Sequence, residues 1–173
     1  ANFQLDASQA GEDVRISSIP ATLTVAGGNA AVSHLSSCQF FDGTTALNTG
    51  SNVLSSLAAS GSSNSFVLDN TITIGKGTVK TLGLKCNVSS GVTGGTFVWS
   101  TSNSASTWTA TGVVSGGGIT ETFGNVTGGT MTAGTGSVTL AVDASSPSYA
   151  VVAGGTTGVT LGVIKLRATN ESL

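Results

Sequence analysis

Residues 81–88, Thr81-Leu82-Gly83-Leu84-Lys85-Cys86-Asn87-Val88, decide the fold class. Leu82, Leu84, Cys86 and Val88 share one parity, and Thr81, Lys85 and Asn87 share the other. Side chains of a strand alternate between the faces of a sheet, so this spacing describes a strand with one buried and one wetted face. The alternation recurs towards the N-terminus, where Val14 and Ile16, then Leu23 and Val25 beyond Pro20, repeat it. Pro20 carries no backbone donor, which places a kink at an edge or at a switch between sheets. Further strands are expected at 65–68, 71–74, 96–100, 107–114, 119–123, 137–143, 149–152 and 159–168. Between them stand turn-formers such as Asp42-Gly43, Gly75-Lys76-Gly77, Gly94-Gly95, Gly116-Gly117-Gly118 and Gly154-Gly155. Short strands at this spacing with glycine-rich turns describe an all-β sandwich with Greek-key-like connections. Only 52–60, where Val53, Leu54, Leu57 and Ala58 fit a 3.6-residue period, is expected to hold a helical turn or two.

Composition narrows the function classes. Charged residues are 8% of the chain and apolar residues 39%, with a net charge of -2, which excludes a charged disordered segment. The basic residues Arg15, Lys76, Lys80, Lys85, Lys165 and Arg167 are scattered, whereas nucleic-acid binding needs them clustered. No apolar run approaches the roughly 20 residues of a membrane helix, so membrane insertion is not expected. No signal peptide is present, so an exported protein would be read here in its mature form. Cys38 and Cys86 lie in strand-like stretches without a CxxC, and there is one histidine, so no metal spacing is formed. A disulfide is favoured over two buried free thiols, and it implies an oxidising compartment.

The two ends of the chain repeat one phrase. Phe3-Gln4-Leu5-Asp6-Ala7-Ser8 is followed by Glu12-Asp13-Val14, and Ile164-Lys165-Leu166-Arg167-Ala168-Thr169 by Glu171-Ser172-Leu173. The expected layout is one sandwich over 1–173, with 1–9 and 159–173 as junction or exchanged strands. Phe3, Leu5, Ala7, Ile164, Leu166 and Ala168 are its assembly residues. Val159, Leu161 and Val163 differ in parity from Ile164, Leu166 and Ala168, which reads as a bulge or as a chain leaving its own sheet for a neighbour's.

Nothing assembles into a catalytic constellation. His34 is flanked by serines in a serine-rich chain and there is no GxSxG elbow, so it reads as a turn residue and the chain as no enzyme. No cofactor is expected. Glu12, Asp13 and Glu171 are weak calcium candidates near the expected junction, without a DxDxDG loop. Trp99, Trp108 and Tyr149 would line a glycan platform if exposed, although tryptophan in a sandwich is more often core. Asn87, Asn125 and Asn170 each open a glycosylation sequon.

The phrases Cys38–Leu47, Gly77–Val88 and Leu161–Glu171 together resemble the repeated modules of large surface proteins from candidate-phyla bacteria. The resemblance implies an immunoglobulin-like sandwich in a cell-surface layer, stalk or filament, whose junction strand leads from one module into the next. The expected function is an extracellular structural subunit that assembles head-to-tail by strand complementation with copies of itself. The alternative is a spacer, or a module binding cell-surface glycan, in a tandem-repeat protein.

Overall fold

The computed structural model describes residues 1–101, 108–121, 126–134, 136–149 and 151–169. Its strands are β1 (Asn2–Asp6), β2 (Val14–Ala26), β3 (Leu35–Asp42), β4 (Thr45–Ala46), β5 (Ser63–Ile74), β6 (Val79–Val88), β7 (Thr96–Thr101), β8 (Thr109–Gly112), β9 (Val126–Thr127), β10 (Met131–Thr132), β11 (Ser137–Val142) and β12 (Ile164–Thr169). They fall into two compact units, Ala1–Ala133 and Gly134–Leu173. Within the first unit, one sheet has the order β1-β6-β3-β4 and the other β10-β7-β2-β5, with β8 also on β2 and β9 on β7. The second unit contains the antiparallel ribbon β11–β12. The protein is all-β, and its first unit is a sandwich of antiparallel sheets.

An aromatic row locks the two sheets face to face. Phe3 on β1 meets Phe40 on β3 edge-on at 5.4 Å, Phe40 meets Phe66 on β5 at 5.0 Å, and Phe66 meets Trp99 on β7 at 5.8 Å. Edge-to-face geometry brings the positive rim of one ring to the negative face of the next. Because Phe40 and Phe66 belong to different sheets, their contact is the bridge across the sandwich. Ile19, Leu23 and Leu82 are fully buried around it. Of the four residues expected on one buried face of β6, Leu82 and Leu84 face this core, Cys86 is half-buried, and Val88 at the strand end is exposed.

Strand irregularities fall where the pattern changes parity. On β2, Val14 and Ile16 are buried, then Ile19, Ala21 and Leu23, and the register shifts between Ile16 and Ser18. Against β8, Ser17 is one extra residue on β2, a bulge that inverts the facing, while against β5 the extra residues are 68–71 of β5. The expected kink at Pro20 is therefore found three residues earlier. Pro20 itself is buried opposite Ser65, between the part of β2 that pairs with β8 and the part that pairs with β7. No described ladder partner claims a donor there, which is why a proline is tolerated inside a long strand.

On β3, Ser37 has φ of 50° and the register against β6 shifts between Ser36 and Gln39. That bulge turns Cys38 inward opposite Cys86, and the two form a disulfide. It links adjacent strands of one sheet and closes a loop with a sequence separation of 48. Such a closure contributes on the order of 2–4 kcal/mol, mainly by restricting the unfolded chain. The expected helical turn over 52–60 is not formed. Leu54 exchanges both backbone hydrogen bonds with Cys38, at 2.9 and 3.2 Å, which holds it extended, and a 3-10 turn at Gly50–Asn52 precedes it.

The long last strand expected over 159–168 is shorter. β12 begins at Ile164, the residue at which the parity changes, and 159–163 lie outside any strand. The parity break is therefore the start of a strand rather than a bulge inside one. Phe66→Ala would remove the ring that joins Phe40 to Trp99. A loss of about 3–5 kcal/mol of unfolding free energy for the first unit is expected, measured by urea titration of tryptophan fluorescence.

Candidate assembly surfaces

The two edges of the β1-β6-β3-β4 sheet differ. At the β4 edge, fully buried Asn48 accepts the Phe40 N–H at Oδ1 (2.7 Å) and donates from Nδ2 to Asn52 O (2.9 Å), while Gln39 donates to its carbonyl. Asp69 on β5 accepts from Thr49 N–H, the Thr49 hydroxyl and the Asn52 amide. These bonds hold its carboxyl below the ordinary carboxylate range, the Thr49 hydroxyl first among the causes. Loop 47–52 is thus tied over that edge, and unpaired strand groups are covered there.

The β1 edge is different. β1 pairs with β6 on one side, Phe3 opposite Leu82 and Leu5 opposite Lys80. No described strand pairs with its other side. Beside it runs a groove of about 590 Å³, lined by Phe3, Leu5, Ala7, Trp108, Ile119 and Glu121 among others. The groove lies between β1, the edge of one sheet, and β8, which pairs with β2 of the other. One carboxylate oxygen of Glu121, Oε1, is buried without a hydrogen-bond partner. A buried acceptor left unmade carries its desolvation cost, so the groove has room for a donor.

The ribbon β11–β12 presents the complementary problem. Val138 stands opposite Ala168, Leu140 opposite Leu166, and Val142 opposite Ile164, so one face is wholly apolar. That face is in water: Leu140 is 68% exposed, Val142 76%, Ile164 68% and Leu166 57%. Thr139, Ala141, Lys165 and Arg167 occupy the other face. A two-stranded ribbon is marginal alone, and an apolar face this continuous marks a surface made to be covered.

The sequence-read residues thus separate into two places. Phe3 and Ala7 are buried in the first unit and Leu5 lies half-buried beside the groove, whereas Ile164, Leu166 and Ala168 stand on the ribbon. Val138, Leu140 and Val142 were not among the expected assembly residues, although their alternation was visible; what the sequence lacked was the knowledge that β12 is their partner. Ile119 and Glu121 lie in the strand expected over 119–123, which the described residues 119–121 do not form, and nothing in that expectation placed them beside β1.

Among the weak calcium candidates, Glu12 and Asp13 have other work. Glu12 Oε2 accepts the N–H groups of Val114 (2.6 Å) and Ser115 (2.9 Å), and Asp13 Oδ1 accepts the Lys76 N–H (2.7 Å). The Ser115 hydroxyl and these N–H groups hold the Glu12 carboxyl below its ordinary range. Glu171 lies outside the described residues, as do Asn125 and Asn170; Asn87 is exposed on β6. Trp99 is 1% exposed and cannot serve a glycan, Trp108 is half-buried on the groove, and Tyr149 is exposed. His34 Nδ1 accepts the Ala31 N–H at 3.1 Å, a bond within its own turn.

Glu12 and Asp69 titrate below their unfolded values, so their stabilisation is present above the ordinary carboxylate range and is lost as pH falls through the lowered folded values. Glu12→Ala is expected to lower stability at neutral pH and to flatten the acid limb of a stability-against-pH curve; an unchanged acid limb would assign that limb to other groups. Comparison with known protein families, with curated proteins and with solved structures finds no match to this chain.

Proposed function

We propose that this protein is a structural subunit of an extracellular filament or surface layer, joined head-to-tail through its C-terminal β-ribbon. The observation that carries the reading is the wholly apolar, water-exposed face of β11–β12. Covering Ile164, Leu166, Leu140 and Val142 would contribute on the order of 1.5–3 kcal/mol for each side chain fully buried, before the cost of ordering is subtracted.

Three further features support it. β12 carries the apolar-polar phrase of β1, a strand that already pairs along a sheet edge. The disulfide Cys38–Cys86 fits an oxidising, extracellular setting. The resemblance of this chain's phrases to surface repeat modules, read from the sequence, implies a similar setting. A ribbon that docks on a different surface of the next copy makes a heterologous contact, and such contacts grow into filaments or layers when they do not close.

Leu166→Asp puts a charge in the middle of the apolar face, at a residue that is 57% exposed. Light scattering and negative-stain electron microscopy are expected to show regular polymers for the unaltered chain and dispersed protein for the variant, with the same unfolding transition of the first unit. A monodisperse unaltered chain at high concentration would overturn the proposal.

A further inference from the structure

We infer that the ribbon of one copy is received at the open β1 edge of a second copy, with β12 lying along β1 and its apolar side chains entering the groove between β1 and β8. This rests on the assembly reading above and names the receiving surface. The choice of edge follows from their asymmetry. Loop 47–52 is tied over the β4 edge by Asn48 and Asp69, while the outer side of β1 has no described strand partner and borders a groove of about 590 Å³. An added strand pairs with the free backbone groups of such an edge, and alternate side chains fill the pockets beside it.

The occupant follows from phase and charge. On β1, Phe3 and Leu5 turn towards the core side and Gln4 and Asp6 outward, and Ala7, just beyond the strand, is buried. On β12, Ile164, Leu166 and Ala168 share one face and Lys165 and Arg167 the other. Laid side by side with apolar faces inward, the strands bring Lys165 and Arg167 to the outward face that carries Asp6. The ion pair formed among the described residues is Lys80–Asp42 at 2.7 Å, so Lys165, Arg167 and Asp6, whose Oδ1 accepts the Ser8 N–H at 2.7 Å, have no ionic partner among the described residues. Inside the groove, Glu121 Oε1 offers an unfilled acceptor to a backbone N–H of the incoming strand. The acidic residue of the edge and the basic residues of the strand are thus opposite in sign.

The experiment uses the full-length chain. Gln4→Cys and Lys165→Cys are made separately, mixed, and treated with a short bismaleimide that leaves the native disulfide intact. A covalent dimer linking positions 4 and 165 of different chains is expected, identified by peptide mapping, with at least tenfold less product when Thr45→Cys on β4 replaces Gln4→Cys. Asp6→Lys is expected to weaken association about threefold, and mixing that protein with Lys165→Asp/Arg167→Asp to restore it. Assembly that still depends on Leu166 but gives no 4–165 link and ignores the charge reversals would overturn the receiving edge and leave the assembly reading standing. A link formed only within a doubly substituted chain would overturn the second copy as occupant. Absence of any association would overturn both.

Discussion

The contact between Phe40 and Phe66 is the one on which the rest of the first unit depends. It is the step at which the aromatic row passes from one sheet to the other, at a ring separation of 5.0 Å. Each sheet reaches it through its own partner, Phe3 on one side and Trp99 on the other. The consequence for β1 is specific. A five-residue edge strand held along one side has few backbone bonds, and it is the burial of Phe3 against Phe40 that keeps it in the core. The bulge at Ser37 belongs to the same arrangement, because it sets the facing of both Cys38 and Phe40. Disulfide and aromatic row are therefore two results of one local shift in register.

Much of this was legible because the period of a strand is two. Leu82 and Leu84 on β6, and Phe66 and Leu68 on β5, bury on the parity that their spacing gives. What escaped was whatever depends on a single inserted residue. The bulges at Ser17 and Ser37 leave no mark in composition, since serine is common throughout the chain, and each reverses the facing of the residues beyond it. Pro20 attracted the expectation of a kink because it is the visible anomaly, yet its missing donor falls where no described neighbour needs one. The apparent helical period at 52–60 was too short to withstand the pairing of Leu54 with Cys38.

The candidate site was legible in halves. The likeness of β12 to β1 is a sequence fact, and so is the apolar alternation of β11. Their joining into one ribbon with a single exposed apolar face is a fact of pairing register, which single-chain periodicity does not contain. The groove required more still. Leu5, Trp108, Ile119 and Glu121 are remote in sequence, and they converge because β1 and β8 end up as facing edges of different sheets. Glu12, read from the sequence only as a weak calcium candidate, uses one carboxylate oxygen to accept the N–H groups of Val114 and Ser115, partners that are remote in sequence.

The asymmetry between edges also bears on what such a subunit can build. A sheet with two open edges would add strands at both and pair with itself without direction, which is the route to aggregates. Here the Asn48 and Asp69 hydrogen bonds cover one edge and leave the β1 edge with its groove. On the proposed reading, growth then has one donor and one acceptor per copy, and a polymer of such units is polar. Its strength is set by apolar burial, while the outward pairing of Asp6 with Lys165 or Arg167 fixes register and is screened by salt, since all three are exposed. High salt should therefore loosen the selectivity of the joint well before it dissolves the joint itself.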